Sequence, residues 1–371
     1  MYPAYCSPCG ITIRKDHEAL FGYLPKEGFA FFAPASDFDM LQSLLSERKS
    51  SGFPIGYEQF VKTMRKPFPP DSARSLGNPA HPWETLPLPA TPLIINWMIT
   101  GTCNHRCIYC YAQDIMSEAD PTDDIFLTTI ENIRAYNPLA FVVTGGEPSL
   151  SKHFVEAIEK LSKFTSVVVD TNATALKEEH ISIFIDNNVH VRFSLDSNRN
   201  VKNSQTRIPL VKKDNMYLFA KIWENLSKLS NNGVNLTINT VATKYNYRDI
   251  QGLERDISRF NISKLRIRFV EKTKTIRNYA EITGSDSKIN AFIKYTKEKN
   301  NNDISIPTYF TMNRPRNSIV IVSPKGNFLT ESQFVDQGKI LIDPKNPTKP
   351  SLDALRKRVD MHAHSARYLY I

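Results

Sequence analysis

The sequence predicts an α/β fold assembled from parallel βαβ units. Six short runs rich in β-branched and aromatic residues alternate with helix-like segments from Leu93 onward. These runs end in small polar or Gly-containing turns, where parallel folds carry their functional loops. The length of 371 residues, with 41% hydrophobic content, fits one large domain with smaller additions. Six such units suit an open or partial β/α barrel as well as a doubly wound sheet, and the pattern alone leaves both open.

Residues 1–70 read as a small α+β domain. GITIRKD, ALFGYL and GFAFFAP alternate like short strands, with PKEG as the clearest turn between them. Ser36 or Asp37 can cap a helix whose apolar stripe is Phe38, Leu41, Leu44 and Leu45. A second short helix is expected around YEQFVKTM. The Pro-rich residues 71–92 read as a linker or a strap over the surface.

The core spans 93–275. Its strand runs are LIINWMI, AFVVTGG, SVVVDTN, HVRFSLD, NLTINTVA and KLRIRFV. Helices are expected near 124–136, 152–163, 177–187, 214–230 and 247–259. Residues 276–371 form a C-terminal extension: a Lys-rich helix near 286–299, a hairpin turning at PKG in NSIVIVSPKGNFLTES, and a short helix in PTKPSLDALRKR.

The chain carries 47 Lys+Arg against 38 Asp+Glu, a formal charge of +9. The lysines are dispersed along helix-like segments, the pattern of solvated faces. No Lys/Arg block is long enough for a nucleic-acid tail, which argues against a nucleic-acid partner and leaves smaller anions such as a nucleotide or an acidic peptide. No apolar run approaches the ~20 residues of a spanning helix. The N-terminus lacks the basic-then-apolar order of a signal peptide. Five Cys in two tight clusters, without an export signal, indicate a cytoplasmic protein that binds metal.

Three of those Cys follow the first core strand directly. Cys103, Cys107 and Cys110 lie in GTCNHRCIYCYA. Thiolates in a reducing compartment favour an iron–sulfur cluster or zinc. A closed zinc site needs four ligands, and no fourth is local, although His105 lies within the loop. Three Cys suit a four-iron cluster with one iron left open for a small molecule; a structural zinc or buried-Cys loop is the alternative. Cys6 and Cys9 form a separate CSPC pair, which His362 and His364 could join if the termini meet. Otherwise they are ordinary thiols.

CNHRCIYC resembles the CxxxCxxC signature of the radical S-adenosylmethionine superfamily, with Tyr109 in the aromatic place before the last Cys. The resemblance continues in order: TGGEP (Thr144 to Pro148), DTNA, SLDS (Ser194 to Ser197) and LRIRFVE, each at a strand end. SLDS is similar to the SLD of the peptide-modifying and molybdopterin-precursor branches, and LRIRFVE to the LRF-type strand of the latter. The resemblance covers about residues 90–275 and implies a partial parallel (β/α)6 barrel flanked by the N-terminal α+β domain and the C-terminal hairpin and helix.

It also implies roles. Cys103, Cys107 and Cys110 would hold a [4Fe–4S] cluster whose open iron chelates the amino and carboxylate groups of S-adenosylmethionine. Gly145 and Gly146 would let backbone approach that amino group, and Glu147 would accept from it or orient the loop. Thr171, Asn172 and Ser194 would bond the ribose or the methionine carboxylate, or act as strand-end caps. Tyr109 would pack on adenine or fill the loop core. Arg268, if it points inward, would bind a carboxylate or phosphate; outward, it is an ordinary exposed Arg. The implied reaction is reductive cleavage of S-adenosylmethionine, with an electron from a flavodoxin or ferredoxin, to a 5′-deoxyadenosyl radical that abstracts substrate hydrogen.

No Cys follows Cys110, and Phe328, Leu329 and Thr330 stand where the resembling tail would begin a Cys-rich extension, so no C-terminal auxiliary cluster is expected. The N-terminal segment resembles, in pattern and size, the elements that bind precursor peptides by strand addition. The expected substrate is therefore a ribosomally made peptide. A nucleotide or other anionic small molecule is the alternative within the same chemistry, and a cluster- or zinc-bearing sensor is the alternative outside it.

Overall fold

The computed structural model describes residues 4–46, 91–284, 308–311 and 320–330, with residues 89 and 306, apart from short gaps at 8–9, 17–18, 26–28, 117, 212–213, 271, 273–275 and 277. The helices expected at YEQFVKTM, 286–299 and PTKPSLDALRKR lie outside the described residues, as do most of the Pro-rich linker, Cys9, His362 and His364.

Four antiparallel strands open the chain in the order β1 (Ala4–Cys6), β2 (Thr12–Asp16), β3 (Ala19–Leu24) and β4 (Phe29–Pro34). Helix α1 (Phe38–Ser46) lays Phe38, Leu41 and Leu45 on Ile13, Leu20 and Phe31. Leu44, expected in that stripe, is instead 37% exposed, because the helix presents only a narrow face to this small sheet.

The central sheet runs β5 (Ile94–Met98), β7 (Ala140–Thr144), β8 (Ser166–Thr171), β9 (His190–Ser194), β11 (Asn235–Ala242) and β12 (Ile262–Phe269), all parallel neighbours in that order. Strand β13 (Thr308–Thr311) extends it beyond β12. At the other side β14 (Val320–Val322) pairs parallel with β5 and turns back antiparallel into β15 (Phe328–Thr330), the hairpin expected at PKG. The short β6 (His105–Cys107) and β10 (Arg207–Pro209) pair apart from this sheet.

Helices α2 (Asp123–Tyr136), α3 (Phe154–Leu161), α4 (Glu178–Asp186), α6 (Asn215–Asn231) and α7 (Ile250–Ile257) connect the strands; α5 (Asn200–Thr206) and α8 (Tyr279–Thr283) are shorter. The five connecting helices all cover one sheet face. Phe126, Phe154, Phe184, Leu226 and Leu253 share a single core with Trp97, Val143, Val169, Phe193, Ile238 and Ile267. A doubly wound sheet would carry helices on both faces. One-sided coverage selects the partial (β/α) barrel and leaves alternate strand residues on an inner face.

The N-terminal unit closes one end of that inner face. Phe21, Tyr23 and Ala30 pack on Ile94, Ala140, Val142 and Val168. The Tyr23 hydroxyl shares a 2.7 Å hydrogen bond with His190 Nδ1, and His190 Nε2 meets Thr237 Oγ1 at 2.7 Å. Arg14, fully buried, pairs with Asp16 at 2.8 Å and donates to the carbonyls of Asn137 and Thr91. The packing that buries this arginine thus also fixes the unit to the barrel.

Candidate active site

The loop after β5 carries Cys103, Cys107 and Cys110, and three separate devices hold it. The first is the turn after β7. Gly146 N–H donates to Thr100 O and Glu147 N–H to Thr102 O, both at 2.8 Å. A Cβ at Gly146 would stand 2.2 Å from Thr102 O; one at Gly145, where φ is +150°, would stand 2.5 Å from Thr100 O. Neither space exists, so glycine is required. The close backbone approach that these glycines permit is to the segment delivering Cys103.

Glu147 is the second device. It is 1% exposed and accepts from Ser149 Oγ (2.6 Å), Thr171 Oγ1 (2.6 Å), Asn172 N (2.7 Å) and Ser149 N (3.3 Å). Burial pushes its pKa up and the four donors oppose that shift. The carboxylate thereby ties the ends of β7 and β8 together. Asn172 carries the tie onward: its Nδ2 donates to Asn104 Oδ1 at 2.9 Å, while its Oδ1 accepts from Thr174 N and Oγ1. Thr171 and Asn172 are therefore engaged as strand-end caps that brace the Cys loop.

The third device is the β6–β10 ladder, which places Cys107 opposite Arg207. Beneath it lies a buried polar group that the motifs did not single out. Asp196 is fully buried; its carboxylate accepts from Tyr109 Oη, from Thr206 Oγ1 (2.8 Å) and from Val241 N (2.9 Å). Arg207 Nε lies 3.2 Å from Asp196 Oδ2, its guanidinium covers the Tyr109 ring at 5.7 Å, and its Nη1 reaches Cys107 Sγ at 4.0 Å. The Tyr109 ring joins Ile108 and Val241 against Val270, Ile276 and Ile282, filling the loop core. Asp196 was legible as part of SLDS, but Arg207 has no local signal, because its role follows from pairing with a segment 100 residues earlier.

Cys103 is buried, Cys107 and Cys110 are half-buried, and none is in a disulfide. Burial pushes the thiols of Cys103 and Cys110 up to about 12, and the charge on Cys107 adds to both shifts. Three adjacent thiolates are thus costly without a cationic partner, which is the chemistry of a metal-cluster donor set. Among the described residues no three His, Cys, Asp or Glu side chains converge as they would around one ion. Three clustered, buried or half-buried thiols are a donor set that fits an iron–sulfur cluster.

The inner face supplies the remaining candidates. Leu265 and Ile267 enter the helix-side core, so Lys264, Arg266 and Arg268 face the other way by period two. Ser194, Asn239 and Arg266 stand in one row across β9, β11 and β12, with Val241 and Arg268 in the next. The Ser194 side chain makes no hydrogen bond among the described residues.

Residues 97–257 match the family described as the Radical SAM superfamily. An S-adenosylmethionine-dependent nucleotide dehydratase from Fibrobacter sp. (strain UWH6) is 27% identical over 168 residues, 43% of this chain and 50% of that protein. A cysteine-type anaerobic sulfatase-maturating enzyme from Clostridium novyi (strain NT) is 30% identical over 167 residues, 41% of this chain and 44% of that protein. The chain spans about half the length of these curated relatives. Among solved structures, Streptococcus suis SuiB bound to precursor peptide SuiA superposes with a TM-score of 0.60 at 15% identity, covering 99% of this chain and 90% of that one. That likeness is one of fold. No helix among the described residues is long and apolar enough to cross a membrane.

Proposed function

We propose, from the premise that residues 97–257 form a Radical SAM domain, that the protein is a radical enzyme acting on a ribosomally synthesised peptide. The superfamily's cofactors are a [4Fe–4S] cluster and S-adenosylmethionine. Here Cys103, Cys107 and Cys110 would hold the cluster. When bound, the two supply a 5′-deoxyadenosyl radical by one-electron cleavage of the sulfonium, drawing the electron from a flavodoxin- or ferredoxin-like donor.

The protein's own residues position and insulate. The Gly145–Gly146 turn and the Glu147 clamp fix where the thiolates stand. Arg207 places a buried positive charge beside Cys107. Phe21 and Tyr23 close the floor of the inner face against water, so that a radical formed above it meets substrate rather than solvent. Ser194, Asn239 and Arg268 face the space where a substrate would lie.

The observation that carries the chemistry is the Cys trio on a loop at the C-terminal end of β5, braced from both β7 and β10. Anaerobic reconstitution should give about four irons per chain, and dithionite with S-adenosylmethionine should give 5′-deoxyadenosine. Zinc in place of iron would overturn the reading.

The peptide substrate is supported by the fold likeness to peptide-bound SuiB, which extends over the N-terminal sheet. Both faces of that sheet are covered, by α1 and by the barrel floor, so a leader segment would add as a strand at the β1 or β4 edge. Co-expression with a peptide encoded beside the gene, followed by mass analysis, tests this. A nucleotide substrate is the second reading, favoured by the name of the Fibrobacter relative and by the cations of the inner face.

A further inference from the structure

The segment that pairs with the Cys loop carries apolar side chains that the core does not absorb. Val201 on α5, Leu210 and Val211 after β10, and Met216 and Tyr217 on the first turn of α6 are exposed, the last two by 71% and 68%. They are held side by side. Asn200 Nδ2 donates to Met216 Sδ, Asn215 Nδ2 donates to Ser204 Oγ at 3.0 Å, and Asp214 N–H donates to Val211 O at 3.1 Å. A single exposed apolar residue is ordinary, whereas a group of five on adjoining elements marks a contact surface.

This surface is joined to the Cys loop by backbone. Leu210 N–H donates at 3.0 Å to the carbonyl of Asn104, the residue after Cys103, and β10 pairs residue for residue with β6 up to Cys107. Arg106 on β6 is exposed, and its Nη1 donates to Cys103 O (3.1 Å) and His105 O (3.0 Å). Neither Arg106 nor the half-exposed Lys202 has a carboxylate partner among the described residues, whereas Arg199 and Lys221 are paired with Asp249 and Glu224. From 199 to 217 the sequence sets five Lys and Arg against one acidic residue, Asp214. Apolar side chains flanked by unpaired cations are the make-up of a small, transient docking surface for an acidic partner.

We propose that Val201, Leu210, Val211, Met216 and Tyr217, flanked by Arg106 and Lys202, form the docking surface for an acidic flavoprotein that delivers single electrons. This rests on the reading of the protein as a radical enzyme and states where its reductant binds. In that transfer the partner's flavin hydroquinone loses one electron and the cluster gains it, with no bond made or broken. The dimethylbenzene edge of a flavin is flat and apolar, which suits Met216 and Tyr217, while the cations steer the acidic protein around it. A second copy of this chain fits less well, because it would bring Arg106 and Lys202 of both copies to one interface. The substrate fits less well too. Helix α6 buries Ile222, Leu226 and Leu229 in the helix-side core, so its exposed turn lies on the outside of the barrel and not on the inner face.

The test uses the reconstituted full-length protein and a purified bacterial flavodoxin of net negative charge. Binding is read by fluorescence anisotropy of labelled flavodoxin, and turnover by 5′-deoxyadenosine release with reduced flavodoxin or with dithionite. Lys202→Glu, and separately Met216→Ser with Tyr217→Ser, should weaken binding by about tenfold and slow flavodoxin-driven release. Dithionite-driven release should stay native, because a small reductant needs no docking surface. Added salt should weaken binding to the native chain. Arg255→Glu on α7 and Leu127→Ser on α2 repeat the charge and apolar changes at other exposed positions and should alter neither readout. No saturable flavodoxin binding, or equal effects at the patch and control positions, overturns the proposal. Variant-sensitive binding of a plant-type ferredoxin in place of flavodoxin overturns the flavin partner, and self-association abolished by the same variants assigns the surface to a second copy instead. Variant-sensitive flavodoxin binding without 5′-deoxyadenosine under dithionite rejects the radical reading alone, and the reverse result rejects the docking surface alone.

Discussion

The Arg207 guanidinium stands 4.0 Å from Cys107 Sγ while its Nε pairs with Asp196 at 3.2 Å. One cation thus serves both the Cys107 sulfur and a buried carboxylate. Its neighbours Asp196, Tyr109 and Cys107 favour the charged form, so it remains a guanidinium at any ordinary pH.

Replacing Arg207 by Gln should destabilise the protein by about 3–5 kcal/mol, because Asp196 loses the charge opposite it. It should also shift the midpoint potential of the reconstituted cluster to more negative values, since positive charge near the sulfurs favours the reduced state. Arg207→Lys keeps the charge without the fork and should shift it less. A potentiometric titration followed by electron paramagnetic resonance reads both. Equal potentials in all three proteins would remove Arg207 from this role.

Gly146→Ala places a Cβ where Thr102 O stands. The turn after β7 and the Cys loop cannot then keep their present contact. The expected outcome is a folded protein with a near-normal circular dichroism spectrum that takes up markedly less iron on reconstitution. Full iron loading would show that the contact is dispensable.

His190 predicts a pH dependence. Burial, with Lys264, Arg192 and Arg266 nearby, holds its pKa well below 6.5. A base with a depressed folded-state pKa contributes stability that is present above the unfolded value and lost as pH falls below it. Stability should decline below pH 6.5 by up to about 1.4 kcal/mol per pH unit from this group. Urea unfolding at pH 7.5 and 5.5 should show a larger loss for the native chain than for His190→Gln, which starts less stable. Parallel losses in the two proteins would contradict this.

Tyr23→Phe removes only the hydroxyl that meets His190 Nδ1. The expected cost is about 1 kcal/mol, together with faster hydrogen exchange in β3, since this contact ties the N-terminal unit to the barrel floor. Unchanged exchange would mean that apolar packing of Phe21 and Ala30 suffices.

The six core strands and their five connecting helices were legible because period-two and period-3.6 burial leave their marks locally, as at Trp97, Val143 and Phe193. Features made by distant partners were not. Strand β1 exists only through pairing with β2, and β6 only through β10 a hundred residues on. Gly145 and Gly146 announced a close backbone approach, but their motif could not say that the neighbour is Thr100–Thr102. Thr171 and Asn172 were visible as polar strand ends, while their engagement by Glu147 and Asn104 appears only in three dimensions. Asn239 and Arg207 carry no motif, and their relevance comes from rows and ladders across strands. Arg268 was the converse: its position was flagged and its direction left open, and the burial of Leu265 and Ile267 turns it inward.

The most direct measurement is the yield of 5′-deoxyadenosine from S-adenosylmethionine under dithionite in Cys103→Ala, Cys107→Ala and Cys110→Ala proteins, each assayed beside the native chain. Near-complete loss is expected in all three, because each removes one of the three thiolates proposed to hold the cluster. Undiminished release from any one of them would contradict it.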